Sequence, residues 1–133
     1  MAFDYRLLTT YLDRCHIQYQ IESTEEGVVS FEYDKVPIFG VVGSLPDFES
    51  SLGLILLDVC EVSPNDEKRY LKILNHLNDK FDIAKFVFEE KNKSIRIEVA
   101  VPLDSNPDLN VLFPGLVNLL LNALDAFLNA IGK

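Results

Sequence analysis

The chain has 133 residues and a mass of 15.1 kDa, the length of one domain, and 48% of its residues are hydrophobic, which is typical of a folded protein. Its formal net charge is −9 at neutral pH, and an acidic surface repels phosphate backbones and anionic lipid headgroups. We therefore expect a single domain over residues 1–133 that binds neither nucleic acid nor a membrane.

The first third of the chain predicts one helix followed by three strands. Apolar residues recur at three- and four-residue spacing from Phe3 to Cys15, which places them on one face of a helix. Apolar and polar residues then alternate over residues 19–21, 28–33 and 36–42, which is the period of half-buried strands.

The middle of the chain predicts a loop, a fourth strand and a second helix. Residues 43–51 contain Gly, Pro, Ser and Asp and are expected to form the loop. Residues 52–62 (LGLILLDVCEV) are almost wholly apolar, which predicts a strand that is covered on both faces, or by helices on one face and a partner on the other. Ser63 and Pro64 favour the start of a helix that ends near residues 78–80.

The last third predicts a hairpin and a long helix. Strands over residues 84–89 and 95–101 alternate clearly and are joined by a polar turn. The final helix is expected to begin at Pro114, because proline fits a first helical position. The predicted fold class is α+β, with a largely antiparallel sheet, helices packed on one face, and the order α-β-β-β-β-α-β-β-α.

The final helix carries an apolar surface that is wider than the helix of a monomer needs. Its polar residues form one narrow stripe: Asn118, Asn122, Asp125 and Asn129. The residues expected to meet the sheet are Leu116, Leu120, Ala123, Phe127 and Ile131. Leu121, Leu124 and Leu128 would flank that set, and such a surplus marks an interface, here a homodimer contact or a groove for a client protein. The alternative is that this is simply the core helix of a monomer.

The location of the protein can be predicted from two features of the chain. The N-terminus lacks the basic segment, apolar run and cleavage site of a signal peptide, so a cytoplasmic protein is expected. The long apolar stretch over residues 111–131 contains Asp125, and an aspartate at the centre of a membrane helix costs about 2.5–3.5 kcal/mol. We therefore predict a helix of a globular domain and not a membrane span.

The residues that could carry chemistry show no catalytic or metal-binding pattern. Cys15, His16, Cys60 and His76 lack the spacing of a zinc site, and the two cysteines are expected to be small core residues. Neighbouring carboxylates occur at predicted turns and helix starts, where exposure to solvent is the simpler explanation. We expect no cofactor, no metal and no enzymatic activity.

Two phenylalanines flank the predicted loop and are candidates for a binding site. Phe39 and Phe48 could line a groove for a peptide, although most aromatic residues of a small domain belong to its core. A bound segment could lie in such a hydrophobic groove or add to an exposed edge of the sheet.

Four stretches of the chain, together with the apolar C-terminal helix, carry a family resemblance. They are Tyr11-Leu12-Asp13 at the end of the first helix, the strand Val28-Val29-Ser30-Phe31-Glu32-Tyr33, the stretch Leu74-Asn75-His76-Leu77-Asn78, and the hairpin that follows it up to Pro102-Leu103-Asp104. With these features the chain resembles the YbjN-like proteins, within the wider type III secretion chaperone-like fold, over nearly its whole length.

The resemblance implies a binding protein and supplies no catalytic residues. Secretion chaperones of this fold are small, acidic, usually dimeric proteins that bind an extended segment of a partner, and YbjN-like proteins are described as sensory-transduction regulators. The expected function is a non-enzymatic protein- or peptide-binding module, chaperone-like or regulatory. The alternative is a small-molecule-binding or enzymatic domain with a pocket between sheet and helices, which requires converging polar groups with shifted pKa values.

Overall fold

The computed structural model describes residues 3–45 and 48–132 of the chain, apart from the side chains of residues 44, 45, 48 and 49. In chain order the elements are α1 (Tyr5–Arg14), β1 (Tyr19–Ser23), β2 (Val28–Tyr33), β3 (Val36–Leu45), β4 (Phe48–Glu61), a 3-10 turn (Pro64–Asp66), α2 (Glu67–Lys80), β5 (Lys85–Glu89), β6 (Ser94–Pro102) and α3 (Leu109–Ala130). This is the order of helices and strands that the sequence predicts.

The strands form one sheet in the order β1-β2-β3-β4-β6-β5, and all neighbouring strands are antiparallel. Short connections join β1 to β4 in succession, as antiparallel pairing allows. α2 then carries the chain from β4 to the far edge, so that β6 returns beside β4. The predicted α+β class with an antiparallel sheet is confirmed.

One core joins the three helices to one face of the sheet. Phe113 of α3 packs against Tyr11 of α1 and Phe31 of β2, with ring centroids 4.9 and 5.5 Å apart. Phe127 of α3 contacts Tyr70 of α2 at 6.3 Å. The strand residues of this core with no exposed surface are Val29, Ile38, Leu52, Leu54, Ile95 and Ile97. Full burial of such a side chain contributes about 1.5–3 kcal/mol, so this core holds the helices on the sheet.

The prediction of a loop over residues 43–51 is wrong for most of that segment. β3 continues to Leu45 and β4 begins at Phe48, and the two strands pair with each other up to these residues, while residues 46 and 47 lie outside the described part. Ser51 is buried, pairs with Gly43 across the hairpin, and its hydroxyl donates to the Gly43 carbonyl at 3.3 Å. The serine and glycine residues that indicate a loop by composition therefore satisfy their hydrogen bonds within the sheet.

The prediction that the last helix begins at Pro114 is also wrong. α3 begins at Leu109, where the carboxylate of Asp108 accepts a hydrogen bond from the amide of Asn110 at 3.1 Å. This is the usual N-cap contact, and it stabilises a helix by about 1 kcal/mol. Pro114 lies inside the helix on its exposed side, while Leu109 and Phe113 are buried. Their burial offsets the hydrogen bond that the proline cannot make.

The expectation that both cysteines belong to the core is wrong for Cys15. α1 ends at Arg14, Cys15 is its exposed C-cap, and His16 turns the chain with a φ of 58°. Cys60 is half-buried on β4, and its sulfur lies 3.7 Å from the hydroxyl of Tyr70. The apolar face of α1 therefore ends before Cys15, because the helix stops one residue earlier than the spacing suggests.

Candidate interaction surface

No helix of the described chain packs on the second face of the sheet. On β3, a Cβ atom at Gly40 would lie 2.4 Å from Leu8 of α1, so Gly40 faces the helices and its neighbour Phe39 faces away. Phe39 pairs with Ile55 of β4, and Ile55 pairs with Glu98 of β6. Because paired residues of neighbouring strands share a face, these three side chains lie together on the open face.

The centre of the open face is apolar. Val28 pairs with Val41, and Gly53 connects Val41 to Ala100 in the next row of the sheet. The open-face band is defined here as Val28, Phe39, Val41, Ile55 and Ala100. The first four are half-buried and Ala100 is exposed. A contiguous apolar patch of this kind is typical of an interaction site.

Charged side chains flank the band. Glu22 lies on the β1 side, while Lys85, Glu89, Arg96 and Glu98 lie on the side of β5 and β6. A guanidinium nitrogen of Arg96 bonds a carboxylate oxygen of Glu89. Its Nε lies 3.1 Å from Glu98 Oε2 without the angle of a hydrogen bond, so that contact acts through charge. Arg96 therefore contacts two carboxylates, which offset its positive charge. The charged residues that flank the band are predominantly acidic.

The structure places the two candidate groove residues differently from the prediction. Phe39 lies in the middle of a strand and belongs to the open-face band, so it does not flank a loop. Phe48 begins β4, but its side chain lies outside the described residues. An open groove of about 880 Å³ runs beside Phe39, between β3 and the start of β1.

The three leucines proposed for self-association lie along one side of α3. Leu121, Leu124 and Leu128 are half-buried, and all three pack against the edge of the core. The predicted polar stripe of the helix is exposed: Asn118, Asn122, Asp125 and Asn129. The residues expected to meet the sheet are buried, except for Ile131, which is half-buried. Part of the surface of these three leucines is thus accessible, but less than if their side chains were fully exposed.

α3 also has the length and composition of a membrane-spanning helix, with a mean hydropathy of 1.8 over 18 residues. In the folded chain Leu120, Ala123 and Phe127 have no exposed surface and belong to the core beside the sheet. A core helix of a globular protein passes the same test of length and hydropathy, so this feature alone does not indicate a membrane.

The titratable groups with shifted pKa values lie outside the open face. Burial raises the pKa of the Tyr11 hydroxyl to about 12, with a contribution from the neighbouring Cys15 thiol. Hydrogen bonds from Arg6 lower the pKa of the exposed Asp4 carboxyl. A hydrogen bond with Cys60 raises the pKa of a core tyrosine of α2. These are structural contacts, and none brings an acid and a base together in a cleft as catalysis requires.

Within the described ranges, no group of three or more His, Cys, Asp or Glu residues is placed to hold a metal ion. Cys15 and His16 lie at the end of α1, whereas Cys60 lies on β4 and His76 on α2. Four ligands in tetrahedral geometry are usual for a structural zinc site, and these residues do not form one.

The sequence prediction missed most of the open-face band. The apolar run over residues 52–62 led to the prediction that a partner could cover one face of this strand, but Ile55, Val41 and Ala100 were not singled out as members of that face. The signal lies in β4, where residues 52–57 are apolar at both even and odd positions. Successive strand residues point to opposite faces, so this run must place apolar side chains on the face away from the helices.

The fold and its surfaces define a small α+β domain with helices on one face of its sheet and an apolar open face in its described part. The chain belongs to the YbjN family, whose model matches residues 4–132 and carries the description "Putative bacterial sensory transduction regulator". The predicted family resemblance is thereby confirmed.

A solved structure agrees with this assignment at the level of the fold. The chain is similar to the crystal structure of YbjN from E. coli, described as a "putative transcription regulator", with a TM-score of 0.64 and 12% sequence identity. The match covers 98% of this chain and 93% of that one. No curated protein matches the chain.

Proposed function

We propose that this chain is a non-enzymatic regulatory protein that acts by binding a protein or peptide on the open face of its sheet. The observation that carries the proposal is the open-face band around Phe39 and Ile55, which is apolar, partly accessible and uncovered by any described element. The regulatory description of the family agrees with a protein that works through contacts.

The geometry gives no support to the alternative of a pocket between sheet and helices. That interface is filled by side chains such as Phe113, Leu120 and Phe127, which are at most 2% exposed. The groove of about 560 Å³ beside α1 is lined by Arg6, Arg14 and the segment that precedes α3, and it opens to solvent. A ligand site usually buries most of the surface of its ligand, and this groove does not.

The proposal includes a cytoplasmic homodimer that contacts neither nucleic acid nor membranes. The net charge of −9 supports regulation through protein contacts, because DNA and anionic lipid would both be repelled. The partly accessible side of α3 with Leu121, Leu124 and Leu128 is the proposed dimer contact. This contact lies on a helix that packs on the covered face of the sheet, so dimerisation there leaves the open face accessible to a partner.

A photo-crosslinking residue placed at position 39 tests the function. In cells that carry this protein, we expect one defined partner to crosslink there, and not at Asn122 on the exposed stripe of α3, which serves as the control. The purified partner should bind Ile55→Ser about tenfold more weakly than wild type, since a half-buried aliphatic side chain is lost. Equal crosslinking at both positions, or equal affinity for Ile55→Ser, would overturn the proposal.

Light scattering tests the homodimer. We expect a mass near twice 15.1 kDa for wild type and a shift toward a single chain for Leu124→Asp, because a charge is buried in the contact. Asn122→Asp adds the same charge on the exposed stripe and should leave the mass unchanged. A wild-type mass of one chain at high micromolar concentration contradicts the dimer.

A further inference from the structure

The two edges of the sheet differ in how their backbone groups are satisfied. At the β5 edge, the side chain of Asn78 from α2 accepts a hydrogen bond from the Phe86 amide at 2.8 Å and donates one to the Phe86 carbonyl at 2.9 Å. A side-chain amide thus makes the two bonds that a neighbouring strand would make. The chain blocks the middle of this edge with its own helix, as proteins do to prevent unwanted strand pairing.

The same contact fixes the direction of the backbone groups at the opposite edge. Successive residues of an antiparallel sheet direct their N–H and C=O groups alternately to the two sides. The N–H and C=O groups of Phe86 point away from β6. When the paired residues are followed from β5 to β1, the N–H and C=O groups of Tyr19 and Ile21 also point away from the sheet, whereas those of Gln20 point toward β2. The amide of Val42 agrees, since it donates toward the β2 side at 2.9 Å.

The protection of the β1 edge is limited to one charged side chain, Glu22, and a shift of register between Ile21 and Ser23. β1 contains no proline, lysine or arginine, and Ile21 is 47% exposed. Between Tyr19 and Tyr33 there is no basic residue, and the charged side chains are Glu22, Glu25, Glu26 and Glu32. No described strand pairs with the outer side of β1, and the charged side chains around this edge are negative.

The β1 edge is also continuous with the open face. The open groove of about 880 Å³ is lined at one side by Gln18 and Tyr19 and at the other by Phe39. The row of paired residues that contains Phe39 ends at Gln20 on β1. A segment lying along β1 would consequently add its side chains to the same surface as the open-face band.

We propose that an extended, basic segment of another protein adds to β1 as a seventh strand of the sheet. This inference rests on the proposed function and names the chemistry of the partner. Alternate residues of the segment would be apolar beside Ile21 and basic beside Glu22. A second copy of this chain fits less well, because its β1 would bring the same carboxylates and no cation.

A designed peptide and two substitutions at one position test the inference. The probe is a nine-residue peptide, capped at both ends, in which lysines alternate with valine and threonine. Ile21→Pro removes the outward N–H while leaving the bonds of Gln20 to β2, and Ile21→Thr keeps that N–H as the matched control. Affinity is measured by fluorescence anisotropy, and the amide signals of Tyr19 and Ile21 in wild type are followed by NMR.

We expect wild type to bind the peptide with shifts of both amide signals. Ile21→Pro should bind the peptide at least about tenfold more weakly than wild type, and Ile21→Thr about as well as wild type. A peptide with glutamate in place of lysine should bind weakly to wild type and to Ile21→Thr. Absence of binding to wild type, unshifted amide signals, or equal affinity for the lysine and glutamate peptides would overturn the inference.

The failure of this inference can be told apart from the failure of the proposed function. If Ile21→Pro binds the peptide as wild type does while Ile55→Ser does not, the edge inference is wrong and the open face still binds. If crosslinking at position 39 identifies no specific partner, the proposed function itself is wrong, whatever the peptide does at β1.

Discussion

The covered face and the open face of the sheet are built from alternate residues of the same strands, yet they differ in burial and in composition. On β4, Leu54 has no exposed surface, whereas the adjacent Ile55 is half-buried and meets no described helix. On β3, Gly40 lies against Leu8, whereas the adjacent Phe39 faces away from the helices. In each strand, residues at alternate positions therefore either stabilise the core or belong to the face for which we propose binding.

The largest effect should come from a neighbouring pair of truncations on β4. Leu54→Ala leaves a cavity beneath the helices and should cost about 2–5 kcal/mol of the free energy of unfolding. Ile55→Ala removes a side chain that is already half in water and should cost about 1 kcal/mol. Urea denaturation of both variants measures the difference, and equal costs would mean that the open face is as closely packed as the covered one.

Alkaline pH should weaken the covered side through Tyr11, which packs against Phe113. Its pKa is about 12 in the folded chain against 10.0 for a free tyrosine, so below pH 10 the side chain is neutral in both states. Between these values the unfolded chain ionises first, and the free energy of unfolding falls as the pH rises, by at most about 3 kcal/mol.

Denaturation of wild type and Tyr11→Phe across pH 9 to pH 12 measures this contribution. The variant should lose less stability than wild type over that interval, because phenylalanine does not ionise. Parallel losses in the two proteins would show that Tyr11 does not resist ionisation in the folded state.

A matched pair of glycine substitutions should give the smallest effects and sharpen the comparison further. A Cβ at Gly40 would lie 2.4 Å from Leu8 in the core, so Gly40→Ala forces repacking and should cost about 1–2 kcal/mol. A Cβ at Gly53 meets its first neighbour at 3.5 Å, an ordinary contact, so Gly53→Ala should change stability by less than about 0.5 kcal/mol. Thermal unfolding checks both, and a larger loss for Gly53→Ala would contradict the assignment of the two faces.

Much of the fold could be predicted because its elements follow simple periodicities. Helical spacing in α1 and alternation in β2 and in the β5–β6 hairpin predict those elements within a few residues. The hairpin between β3 and β4 could not be predicted, because Ser51 makes its hydrogen bond only once the strands have paired. The start of α3 was misplaced because the cap at Asp108 has more influence than the position of Pro114.

The candidate site was less predictable than the fold because it depends on tertiary placement. Alternation shows that Phe39 and Ile55 lie on strand faces, but only the position of the helices shows which face is free. The contact between Asn78 and Phe86 joins residues eight positions apart across a helix end, and no local pattern predicts it. The features that indicate a binding site on the open face and at the β1 edge can therefore be identified only in the folded chain.

The accessibility of position 55 shows directly whether one face of the sheet is uncovered. Ile55→Cys and Leu54→Cys are prepared with Cys15 and Cys60 replaced by serine, and their reaction with a maleimide is followed in the native protein. We expect Ile55→Cys to react at least about tenfold faster, because the thiol at position 54 reacts only when the core opens. If Ile55→Cys reacts as slowly as Leu54→Cys, another part of the protein or a second copy covers that face, and the face is not free to bind a partner.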